Sequence, residues 1–104
     1  MARFDVYANP DEDFRSSIPF ILDVQNDFLG ALETRVVVPL HLQNGFKKPI
    51  RNLNPQLQVS GKIVIMDTAS LAAIPIRDLR RPLANLAGDQ GEIQDALDTL
   101  FGPY

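Results

Sequence analysis

Asp89-Gln90-Gly91-Glu92-Ile93-Gln94-Asp95-Ala96-Leu97-Asp98-Thr99-Leu100-Phe101-Gly102-Pro103-Tyr104 closes the chain, and its spacing decides how the rest must be arranged. Ile93, Ala96, Leu97, Leu100 and Phe101 recur at i, i+3, i+4, i+7 and i+8, which puts them on one stripe of a helix. Asp89 with Glu92 three residues on has the form of a capping box. Gly102 suits a left-handed exit, and Pro103 cannot continue the helix. Asp95 and Asp98 lie off the stripe, and the last turn carries no Lys or Arg. An acid there is disfavoured by roughly 0.3–1 kcal/mol against the helix dipole. The stretch therefore predicts a helix with one side buried and an acidic, aromatic extremity available to a partner.

Upstream of the helix the periods belong to strands. Phe4, Val6 and Ala8 alternate with Arg3, Asp5 and Tyr7, and Ile18, Phe20, Leu22 and Val24 alternate with Pro19, Ile21 and Asp23. Between them, Asn9-Pro10-Asp11-Glu12-Asp13 is an acidic turn, so the two runs read as an antiparallel pair of half-buried strands. Gln25 to Gly30 breaks the pattern. Thr34-Arg35-Val36-Val37-Val38-Pro39-Leu40 is a β-branched strand, and His41 to Pro55 reads as a long loop. Leu57–Val59 and Ile63–Met66 flank a Ser60-Gly61 hairpin turn. Thr68 to Ile76 reads as a further strand, followed by a connector through Pro82. Strands first and one helix last imply an α+β or barrel-like fold with a mainly antiparallel sheet, in a single domain over residues 1–104.

The 104 residues carry 10 Lys and Arg against 13 Asp and Glu, a formal charge of −3. Direct nucleic-acid binding needs a concentrated positive field, so this balance favours a protein partner. Having no cysteine, the chain has neither a disulfide framework nor a thiolate metal site. No run reaches the roughly 20 apolar residues of a membrane span, and Met1-Ala2-Arg3-Phe4-Asp5 lacks an apolar signal core. These features imply a cytoplasmic protein that needs no cofactor or metal.

Candidate chemistry is sparse. His41 is the single histidine, without a sequence neighbour to orient it, and Ser16, Ser17, Ser60 and Ser70 form no nucleophile elbow. Asp23 and Asp27 are four apart, but on a strand and a loop rather than one helical face. Lys47, Lys48 and Arg51 beside Phe46 make a short basic patch, and Arg77, Arg80 and Arg81 another, the latter suited to pairing with the chain's own carboxylates. No catalytic residue is assigned.

Five strings in order carry a resemblance: Arg3-Phe4-Asp5-Val6-Tyr7, Leu22-Asp23-Val24-Gln25-Asn26-Asp27, Thr34 through Leu40, Leu71-Ala72-Ala73-Ile74-Pro75-Ile76, and Ile93 through Phe101. Over nearly its whole length the chain resembles the CcdB family, the gyrase-poisoning toxins of toxin–antitoxin modules. The resemblance implies a mainly antiparallel, SH3-like sheet, a smaller three-stranded sheet and one C-terminal α-helix. It also implies a homodimer with the helix ends near the twofold axis, binding to the DNA gyrase A subunit, and trapping of the cleaved gyrase–DNA complex. A cognate antitoxin would remove the toxin from gyrase and join it in repressing the operon, so that DNA is met only through the antitoxin complex or gyrase. By position, the gyrase-contacting residues fall on Asn26, Asp27 and Phe28 in the loop, and on Asp98, Phe101, Gly102, Pro103 and Tyr104 at the helix end. Asn26 and Phe28 stand where a serine and an isoleucine are usual. Gly102-Pro103-Tyr104 replaces a Trp-Gly-Ile ending, which moves the aromatic group by two positions. Two other readings remain open: an endoribonuclease toxin of the MazF or PemK type, and a family member without gyrase activity.

Overall fold

In the computed structural model, which describes residues 1–102, the chain forms seven strands and one helix. The strands are β1 (Asp5–Ala8), β2 (Phe20–Asp23), β3 (Thr34–Leu42), β4 (Gln56–Val59), β5 (Lys62–Met66), β6 (Ala72–Pro75) and β7 (Ala84–Asn85). The helix, α1, spans Gln90–Phe101. Every strand pair is antiparallel, in the order β4-β5-β3-β2-β1-β7 with β6 also on β3, and the sheet curls into a nearly closed barrel. The architecture is α+β and mostly sheet, as the periodicities imply. The smaller three-stranded sheet is the β3-β5-β4 branch, continuous with the rest through β3.

The long strand β3 serves two partners on one side. Thr34 to Val37 pair with β6, and Leu40 to Leu42 pair with β5. Pro39 falls in the gap between those ladders, where its missing N–H is not needed and its carbonyl accepts from the Asp67 amide at 2.9 Å. Ser60 and Gly61, with φ of 51° and 81°, make the tight turn between β4 and β5. Leu57 and Val59 point inward from β4, and Val64 and Met66 from β5.

Ile93, Ala96 and Leu97 of α1 are buried against Phe20, Leu22, Val24, Val38 and Leu40 in the main core. Burying such large side chains contributes roughly 1.5–3 kcal/mol each. The stripe is narrower than its spacing suggests, because Leu100 is half-buried and Phe101 is exposed. Gly102 ends the helix at φ 78°, its amide bonded to the Asp98 carbonyl at 2.7 Å. The capping box does not form. A 3-10 turn over Ala87–Asp89 precedes α1 and leaves Asp89 at φ −103° and ψ 16°, so its side chain makes no capping bond.

Three other expectations are corrected. Strands β1 and β2 are not half-buried: Tyr7, Ile21 and Val37 form a second buried cluster on the opposite face, covered by Ile74 and Leu79. The strand expected over Thr68 to Ile76 is only Ala72–Pro75, flanked by 3-10 turns at Thr68–Ser70 and Ile76–Asp78. The loop expected from His41 begins later, because β3 continues to Leu42.

Burial places the stability of the helix docking on Ile93 rather than on the helix end. Ile93→Ala is expected to lower the unfolding free energy by about 2–5 kcal/mol, and Leu100→Ala by about 1–2 kcal/mol. Urea unfolding checks this; equal losses would show the helix end packed as tightly as its middle.

Candidate functional site

The loop after β2 is built on a buried ion pair. Asp23 ends β2 opposite Val37, so Arg35, two residues along β3 on the same face, is its diagonal neighbour. The Arg35 Nε and Nη2 donate to the two Asp23 oxygens at 2.7 and 2.9 Å, with the side chains 2% and 0% exposed. A third bond runs from Arg35 Nη2 to the Gln25 carbonyl at 3.2 Å. The hydrogen bond to Asp23 pushes the Arg35 pKa up from its ordinary value against the opposing effect of burial. Bidentate geometry and the added carbonyl are what make a buried pair tolerable, since removing two charges from water is costly.

From this base the chain turns out to solvent. Asp23 Oδ1 accepts from the Gln25 amide, while Gln25 Oε1 accepts from the Val36 amide and its Nε2 donates to the Leu29 carbonyl. Asn26 caps a 3-10 turn over Asp27–Leu29 by accepting from the Phe28 amide at 3.0 Å. Asp27 accepts the Arg3 amide at 2.8 Å and lies 3.5 Å from Arg35 Nη2. Phe28 at the tip is 95% exposed.

The helix end comes to the same place. Val24, Gln25, Asn26, Leu29 and Val36 on one side, with Leu97, Asp98 and Phe101 of α1 on the other, line an open groove of about 460 Å³. Of the residues singled out from sequence, the fold brings Asn26, Asp98 and Phe101 into one lining. Asp27 and Phe28 sit in the turn that follows Asn26, and Gly102 follows Phe101 directly. Pro103 and Tyr104 lie outside the described residues. Phe101 is 68% exposed, so an aromatic face stands beside the groove in the single chain.

Sequence reasoning missed Leu29, Leu71, Leu97 and Gln94 as groove residues. Gln94 was legible in principle: it lies four residues before Asp98, and its Nε2 donates to Asp98 Oδ1 at 3.0 Å.

Elsewhere, His41 does have an orienting partner, with Nε2 3.0 Å from Asp67 Oδ2 and the Phe46 ring edge-on at 5.1 Å. Neither His41 nor Asp67 lines the groove. Arg77 and Arg80 share a separate pocket with Arg15, Glu12 and Asp78, yet among the described residues none of Arg77, Arg80 and Arg81 forms an ion pair. The expected pairing with the chain's own carboxylates is absent there. Among the described residues no group of three or more His, Cys, Asp or Glu could hold a metal ion, and no helix is long and apolar enough to cross a membrane.

Compared with known proteins, residues 3–102 match the family model described as CcdB protein. No curated protein matches the chain.

Two outcomes follow from the polar base of the loop. Asp23→Asn removes the buried countercharge of Arg35 and leaves it only the exposed Asp27 at 3.5 Å, so it is expected to cost about 3–5 kcal/mol, whereas Asp27→Asn at the surface costs under about 1 kcal/mol. Urea unfolding of both variants separates the two. Tyr7, whose hydroxyl lies 3.5 Å from Asp5 Oδ2, has its pKa pushed from 10.0 to about 12, by burial first and then by Asp5 and Asp23. Because the folded value is the higher one, the Tyr7 contribution is complete below about pH 10 and is lost as pH rises toward 12. Tyr7→Phe is expected to flatten that slope in unfolding curves taken across the same range.

Proposed function

The chain belongs to the CcdB family of toxin–antitoxin toxins, and from that membership we propose that it binds the A subunit of DNA gyrase and traps the complex in which DNA is cleaved. The contact surface is the groove between the β2–β3 loop and the end of α1. Asn26, Asp98 and Phe101 are in its lining, Asp27 and Phe28 are in the turn that follows Asn26, and Gly102, Pro103 and Tyr104 are assigned to the same contact by their place in the family pattern. The protein acts as a cytoplasmic homodimer with the helix ends near the twofold axis, so that two grooves meet a symmetric target together. A cognate antitoxin removes it from gyrase and shares operon repression with it. DNA is met only through those partners.

One observation carries this reading. Two segments far apart in sequence, chosen by family position, converge on one groove: the exposed ring of Phe101 is in its lining, and the exposed Phe28 lies in the turn between the lining residues Asn26 and Leu29. Exposed aromatic side chains beside a preformed concavity are the residue type that dominates protein–protein binding energy. The acid at Asp98, unfavourable for its own helix, gains a role if the target presents a basic group there.

The test mixes purified protein, gyrase, supercoiled plasmid and ATP, then denatures the proteins and measures linear DNA. Linear product is expected with the wild-type chain and at least about tenfold less with Phe28→Ala or Phe101→Ala, both with unchanged melting because the rings are exposed. Cleavage of RNA in the absence of gyrase, without linear DNA, would replace this reading with the endoribonuclease one.

A further inference from the structure

Arg3 lies outside the groove lining and Gln94 within it, and neither has a family-assigned role; the hydrogen-bond pattern joins both to Asp98. The Arg3 Nη2 donates to Gln94 Oε1 at 3.1 Å, and Gln94 Nε2 donates to Asp98 Oδ1 at 3.0 Å. This relay has only one sense. A guanidinium can only donate and an ionised carboxylate can only accept, so the amide between them must turn its oxygen to Arg3 and its nitrogen to Asp98. Arg3 is itself fixed from three directions: its Nε donates to the Val24 carbonyl at 3.1 Å, its guanidinium lies 4.8 Å from the centre of the Phe4 ring, and its amide donates to Asp27. Phe4 adopts φ 74°, a left-handed conformation that is strained for an aromatic residue, and its amide donates to the Asp23 carbonyl at 2.7 Å.

We infer that Arg3 and Gln94 are positioning residues: Arg3 couples the loop to the helix end and, through Gln94, sets the rotamer of Asp98 in the groove before a partner arrives. The inference rests on the gyrase reading for the identity of the partner, but not for the relay. Val24 and Asp27 belong to the loop side and Gln94 and Asp98 to the helix side, so a single side chain at the first turn of the barrel ties both walls. Its consequence is preorganisation. An Asp98 already held in one orientation loses less freedom on binding than one that is free to rotate.

Arg3 is half-exposed and Gln94 half-buried on the helix surface, so substitution at either leaves the core intact. The variants are Arg3→Met, Gln94→Met, Asp98→Ala and the Arg3→Met/Asp98→Ala double variant, with Arg3→Lys as the conservative control. Binding to a purified fragment of the gyrase A subunit is measured by calorimetry, alongside melting temperature and the side-chain amide resonances of Gln94 by NMR. Arg3→Met and Gln94→Met are each expected to weaken binding about fivefold to tenfold with little change in melting, and Arg3→Lys to recover part of the loss. In the Asp98→Ala background, Arg3→Met is expected to have almost no further effect, because its action passes through that carboxylate. Additive losses, or Gln94 amide resonances unmoved by Arg3→Met, would overturn the relay. If the wild-type chain does not bind the fragment while the Gln94 resonances move as expected, the gyrase reading fails and the relay stands.

Discussion

The ion pair between Asp23 and Arg35 is the constraint from which the candidate site follows. Both side chains are withdrawn from water, and each oxygen of the acid meets a separate N–H of the guanidinium. Such a pair gives little net stability over an apolar substitute, but breaking one half of it is expensive. What it secures is position. It joins the end of β2 to the start of β3 and binds the Gln25 carbonyl, so the chain between the strands must leave the sheet at one fixed angle. Asn26, Asp27 and Phe28 then project where they do because their base cannot shift without uncovering a charge.

The second constraint is the division of the helix. Ile93, Ala96 and Leu97 close the core, while Asp98 and Phe101, one turn further, face the groove and solvent. Docking and the proposed recognition thus fall on neighbouring turns of one element, and the buried turn orients the exposed one. That arrangement explains how an acid disfavoured at a helix C-terminus persists. Gln94 satisfies its side chain from within the helix, and Arg3 holds Gln94 from outside it.

Much of the fold was legible in the residues. Period-2 runs marked β1 and β2, a β-branched run marked β3, apolar runs on either side of the Ser60-Gly61 turn marked β4 and β5, and the spacing of Ile93, Ala96 and Leu97 marked the helix and its buried face. What was not legible depended on register or on a neighbour. Nothing in the spacing of Asp23 and Arg35 says that they meet; that follows only once Asp23 lies opposite Val37. Tyr7 sits on the polar face of its strand by alternation, yet Ile74 and Leu79 cover that face, so it is buried. The Asp89 capping box failed because a preceding 3-10 turn moved the backbone away from the extended conformation a cap needs. As for the site, Asn26, Asp98 and Phe101 were found by family position, and local chemistry alone would have missed their convergence. Arg3, at the entry to β1, was legible only as part of the opening string; its links were not, because Val24 and Asp27 lie in the loop after β2 and Gln94 in α1.

The central claim is that the loop after β2 and the end of α1 form one binding surface. Titrating isotope-labelled protein with a purified gyrase A fragment and following backbone amide resonances tests it most directly. The largest changes are expected at Asn26 to Leu29 and at Asp98 to Gly102, moving together at one stoichiometry. Changes confined to the pocket of Arg15, Arg77 and Arg80, with the loop and helix end unmoved, would contradict it.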